Sequence, residues 1–186
     1  FLGSLCCLEF ALQYPTYVAG VVLASGYYYP TFRLDPLLPS LLAMPVFGDL
    51  MRHTITPLVA RALWPATLKL MFGPAEVPAQ YDAFPVWLAL RPSQLRAMAE
   101  EGALMMPTVF ALQPRLHGLA AVPTMIIAGE SDKYLDTGKE SVRLHREIPG
   151  SQLRVIKSAG HMVHHTAPQA VMDAINELAT MPNQLE

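Results

Sequence analysis

Two cysteines, Cys6 and Cys7, are all that the 186 residues contain, and they are neighbours. With no other cysteine to pair with, the chain builds neither a disulfide framework nor a cysteine-based zinc site, and a reducing compartment is the simple expectation. Charge is scarce too: 13 Lys and Arg against 15 Asp and Glu leave a formal net charge of −2 and no basic stripe. Nothing here neutralises a row of phosphates, so nucleic acid is set aside as a partner. No apolar run approaches the roughly 18 residues that span a bilayer, and the start lacks the basic flank and cleavage site of a signal peptide. Stable membrane insertion is not expected, and the expected location is cytoplasmic. An opening Met is missing as well: Phe1 stands first, so truncation or processing is expected.

What is present is apolar: 52% of the residues are hydrophobic and 15% charged, which suits one globular domain with a sizeable core. Ser4 to Gln13 reads as a helix stopped at Tyr14-Pro15, because proline disfavours the α region for the residue before it. Val18 to Ala24 is a short β-branched run closed by Ser25-Gly26, the pattern of a strand buried on both faces. Thr124 to Ala128, closed by Gly129, and Leu153 to Ile156, closed by Ser158-Ala159-Gly160, repeat it. Helical patterns run from Thr137 to Ile148 and from Pro168 to Ala179, the latter with Val171, Ile175 and Leu178 on one face. Strand and helix thus alternate, which predicts right-handed crossovers in a parallel α/β sheet.

Residues 34–118 break the alternation. They are rich in Leu and Met and punctuated by proline from Pro36 to Pro114, which predicts short helices inserted between two sheet strands. The expected organisation is a partial α/β core at 1–33, a helical cap at 34–118 and the rest of the core at 119–186. An insertion leaving the carboxyl edge of a parallel sheet sits where such sheets bind ligands, so its apolar excess reads as a lid over a greasy pocket or as a helical layer with its own core.

Two polar residues stand just beyond strand ends: Asp132 in Gly129-Glu130-Ser131-Asp132, and His161 after Ala159-Gly160. The carboxyl ends of parallel strands share one edge, so the two side chains are expected to meet there. A carboxylate on one imidazole nitrogen fixes the tautomer and leaves the other nitrogen to move a proton. Asp136, in the same loop, reads better as an N-cap for the helix that follows, and Glu130 as a solvated charge. His164 and His165 follow His161 at a spacing that suits zinc on a helix, but no distant ligand pair completes a metal site, so they are expected as partly exposed residues. Ser25-Gly26-Tyr27-Tyr28-Tyr29 either lines a pocket or packs at the cap entry, and Trp87 and Arg91 read as part of a packed helix more readily than a substrate clamp.

Together these segments resemble the α/β-hydrolase family. Val122-Pro-Thr-Met-Ile-Ile-Ala-Gly-Glu-Ser-Asp132 is similar to the family strand that carries the acid, and Ala159-Gly-His161 followed by Pro168-Gln-Ala-Val171 to its last strand, catalytic His and final helix. Leu2 to Pro15 and then Val18 to Gly26 resemble the helix and strand that follow the nucleophile. The resemblance implies the carboxyl-terminal portion of that fold, with parallel strands, flanking helices and a helical cap, and His161 and Asp132 as catalytic base and acid.

It also implies a nucleophile on a strand-to-helix turn, usually G-x-S-x-G, ahead of the acid and the His. Counting back from Tyr14-Pro15 puts that slot on Phe1, which cannot attack a carbonyl, so no nucleophile is expected in this chain. Ser4 falls in the first helical turn and reads as a cap or a packing residue. Cys6 and Cys7 read as small buried hydrophobes. The implied parent is a serine esterase or acyl hydrolase acting through Ser, His and Asp on a small apolar acyl compound, without cofactor or metal, and this chain alone is expected to be inactive. Aspartate-nucleophile relatives such as haloalkane dehalogenases or epoxide hydrolases, cofactor-free haloperoxidases, and a non-catalytic degenerate fragment stay open.

Overall fold

The computed structural model describes residues 2–30 and 41–181. The nucleophile slot at Phe1, the boundary at 33/34 and the prolines at 36 and 39 lie outside the described residues. Helices are α1 (Leu2–Gln13), α2 (Phe47–His53), α3 (Ile55–Phe72), α4 (Val86–Ala89), α5 (Pro92–Leu112), α6 (Arg143–Glu147), α7 (Val163–Thr166) and α8 (Pro168–Thr180); strands are β1 (Val21–Ala24), β2 (Thr124–Gly129) and β3 (Gln152–Ile156). The chain divides into two compact units, one drawn from Phe1–Tyr29, Leu70–Glu76 and Val109–Glu186, the other from Pro30–Lys69 and Val77–Thr108.

In the first unit the three strands lie in the order β1-β2-β3, all parallel. Parallel neighbours need crossovers, and the long chain between β1 and β2 and α6 between β2 and β3 supply them. Side chains alternate across the pleat, and the core divides accordingly. Val21, Leu23 and Ile126 pack with Leu8 and Ala11 of α1, Leu116, Leu119 and Leu144 on one side. Met125 and Ile127 pack with Val163, Ala174 and Leu178 of α7 and α8 on the other. Fully burying one such side chain is worth about 1.5–3 kcal/mol.

Several details differ from the sequence reading. Among the described residues only β2 is buried along its whole length, and β3 is an edge strand with Gln152 and Val155 exposed. β1 starts at Val21 instead of Val18 and alternates buried and half-buried residues. Cys6 and Cys7 are exposed, not buried, because α1 turns Ser4, Leu5, Leu8 and Ala11 inward. The inward face of α8 is Val171, Ala174 and Leu178, which leaves Ile175 45% exposed. The helix expected over residues 137–148 opens with a wide turn, Gly138–Val142, in which the Val142 N–H donates to Thr137 O, before α6 begins.

The second unit is helical. Trp64 stacks on Phe84 with ring centres 5.4 Å apart, and Phe84 on Tyr81 at 6.0 Å. Buried Arg52 of α2 bonds Asp49 and Leu42 O. Trp87 is exposed, with the Arg91 guanidinium 4.9 Å from its ring centre.

Candidate active site

β2 and β3 run parallel and in register to Gly129 and Ile156, so the loops that leave them start side by side. The backbone stitches them together: Glu130 N–H donates to Ile156 O and Ser131 N–H to Ala159 O, both at 3.0 Å. Gly129 is required by this approach, since a Cβ there would lie 2.2 Å from Gly160 O and 2.4 Å from Ala159 O. Sequence neighbours of those glycines are thereby forced together.

The structure brings Asp132 and His161 into contact. His161 Nδ1 lies 2.8 Å from Asp132 Oδ2, with the two side chains 6% and 1% exposed. Asp132 Oδ1 accepts the N–H groups of Tyr134 at 2.7 Å and Leu135 at 2.9 Å. One carboxylate oxygen is thus fixed by the loop backbone and the other is aimed at the imidazole. Burial of a carboxyl group is tolerable on such terms, because both of its oxygens have hydrogen-bond partners. Tyr134 also packs on the His161 ring with centres 5.1 Å apart. The imidazole that donates Nδ1–H to a carboxylate is held in the tautomer whose Nε2 accepts protons.

Other expected residues fall outside this pair. Asp136 Oδ1 accepts the N–H groups of Gly138 and Lys139, both at 3.0 Å, which makes it the cap of the turn that follows. These bonds, that of Lys139 first, hold its carboxyl below the usual range. Glu130 is exposed. His164 is exposed and His165 half-buried on α7, ring centres 4.4 Å apart. Partial desolvation, then the neighbouring imidazoles of His165 and His161, push His164 below its ordinary pKa. Among the described residues no group of three or more His, Cys, Asp or Glu is placed to hold a metal ion, and no helix is long and apolar enough to cross a membrane. Ser4 is buried in the first turn of α1, and Tyr27, Tyr28 and Tyr29 are each 1% exposed.

Sequence reasoning missed Glu140. Its buried carboxylate accepts the N–H groups of Tyr28 at 2.7 Å and Tyr29 at 3.1 Å, binding the segment that leaves β1 to the turn that follows the Asp132 loop. Tyr29 reinforces the junction: its hydroxyl donates to Glu147 at 2.8 Å and Arg143 lies over its ring at 3.8 Å. The available signal was the run of three tyrosines after a strand, whose backbone donors needed acceptors once buried.

A three-stranded parallel sheet with helices on both faces and an acid and an imidazole meeting at its carboxyl edge defines a class. Residues 2–168 match the family described as alpha/beta hydrolase fold, and the chain belongs to that family. Among solved structures, it is similar to an alpha/beta hydrolase fold protein from Burkholderia ambifaria, with TM-score 0.74 and 15% identity over 93% of this chain and 62% of that one. A thermophilic esterase from Thermogutta terrifontis gives 0.57 and 22%, covering 95% of this chain and 61% of that one. The enol-lactonase from Burkholderia xenovorans gives 0.60 and 19%, covering 94% and 61%. At these identities the likeness is one of fold. The chain spans 61% to 62% of the length of these structures. No curated protein matches it.

Proposed function

We propose that this chain carries the acid and the base of an acyl hydrolase whose nucleophile, a serine, belongs to a longer parent chain. The observation that carries the reading is the buried 2.8 Å contact between Asp132 and His161, with the second Asp132 oxygen held by two backbone N–H groups. In the proposed reaction His161 Nε2 takes the proton of the attacking hydroxyl. Asp132 keeps the imidazole in the right tautomer and stabilises the imidazolium, which then protonates the leaving group. In the same proposed reaction, backbone N–H groups at the start of α1 stabilise the oxyanion. The substrate is a small, fairly apolar ester or related acyl compound; the esterase and enol-lactonase names of structural neighbours support that class. This chain without the nucleophile is inactive.

The test is fluorophosphonate labelling of this chain and of the longer parent that the reading requires. The expected outcome is labelling of a serine in the parent alone, abolished by His161→Ala. Asp132→Asn should slow it roughly 10³–10⁴-fold, the scale on which a misheld imidazole impairs acyl transfer. Labelling that survives His161→Ala removes the assignment, and a parent that never labels moves it to an aspartate nucleophile or a non-catalytic relative.

A further inference from the structure

The loop that carries His161 is gripped from two sides. One grip is the β2 end described above, where Gly129 has no room for a side chain beneath the carbonyls of Ala159 and Gly160. The other comes from the last turn of α3 and the residue after it, far from either strand in sequence. A Cβ on Gly160 would lie 2.2 Å from Gly73 O and 2.9 Å from Phe72 O. On the far side of His161, Met162 N–H donates to Met71 O at 3.2 Å. Phe72 is fully buried, with its ring centre 5.9 Å from that of His165.

We propose that Met71-Phe72-Gly73 is a positioning element for His161: it clamps the residues on either side of the imidazole and so sets its distance to Asp132. The proposal rests on the reading of His161 as the base, but its geometry stands apart from turnover. His161 has one residue, Gly160, in which any side chain collides with the clamp, and one, Met162, whose amide is tied to it. A peptide held at both neighbours has little freedom to swing its side chain. Asp132 is held by its own loop, so the length of the Asp132–His161 bond is decided by where the His161 backbone is held. Phe72, buried beside Gly73, keeps the clamp seated. Residues 70–76 belong to the same compact unit as the sheet.

The test reads the Asp132–His161 bond directly. In the isotopically labelled 186-residue chain, the imidazole Nδ1–H proton of His161 is followed by NMR for its exchange with water. Phe72→Leu keeps an apolar side chain but removes the ring, and Leu8→Val makes a small loss in the core cluster that α1 packs into, which does not include Phe72. Expected is Nδ1–H exchange about tenfold faster in Phe72→Leu, as local opening becomes easier, with amide exchange in β2 unchanged and no acceleration in Leu8→Val. Unchanged Nδ1–H exchange in Phe72→Leu, or an equal rise in Leu8→Val, overturns the proposal. Should Phe72→Leu not fold, Gly160→Ala crowds the clamp instead of emptying it: faster exchange supports the proposal and unchanged exchange overturns it. None of these outcomes depends on labelling by fluorophosphonate, so failure of the hydrolase reading is told apart from failure of this one.

Discussion

Asp132 and Glu140 are both buried carboxylates in the stretch after β2, yet one points at an imidazole and the other at backbone amides. The difference explains why one was legible in the sequence and the other was not. Asp132 and His161 each follow an apolar run that ends in glycine, and parallel strands put such ends on one edge. Glu140 sits in a polar helical pattern where glutamate reads as surface, and its partners are 111 and 112 residues away. No local rule reaches that far. Glu140→Ala leaves two buried N–H groups without acceptors, and a buried unsatisfied group costs about 1–3 kcal/mol. Urea unfolding should show a loss of at least that size, and Glu140→Gln, which keeps an acceptor, a smaller one. Equal losses for both would mean that the charge, not the acceptor, is what the amides need.

Elements were read well where one period ruled a whole segment. β2 and β3 fall within a residue of the expected spans, and α8 starts at Pro168, which suits the first helical position. Expectations slipped where burial had to be divided between faces, as in α1 with its exposed cysteines, because apolar residues surround that helix and tertiary contacts alone choose the inward side. Short α7 shows how an element carries its own pH response. Its buried Val163 anchors it, while His164 titrates below its ordinary value of 6.5. Above about pH 6.5 folded and unfolded chains are both neutral at this residue, so its full stability is present. As pH falls, the unfolded chain takes the proton first, and stability drops until the lower folded pKa is passed. The expected outcome is that wild type loses stability relative to His164→Gln below about pH 6.5 and keeps a constant difference above it. A difference that does not change with pH would show that His164 is not desolvated in the folded chain.

At the scale of the molecule, two features among the described residues bear on self-association. β1 pairs with β2 alone, so among the described residues its other edge carries no strand, and unpaired strand edges invite association. In α3, Ile55, Leu58, Val59 and Leu63 recur at helical spacing and are 55%, 71%, 49% and 56% exposed. Residues three and four apart share a helix face, so these form one apolar stripe, of the kind that drives association when left bare. Between a short strand edge and a long side-chain stripe, the stripe offers the larger apolar area, and area sets the driving force. Leu58→Glu with Leu63→Glu should therefore leave the chain monomeric in sedimentation velocity at concentrations where wild type associates. Exposed sites of this sort change stability by about 0.5 kcal/mol or less, so urea midpoints should barely move. Association undiminished in the double variant would place the contact away from the α3 stripe, as on the open strand edges of β1 or β3, where backbone groups, indifferent to side chains on α3, do the pairing.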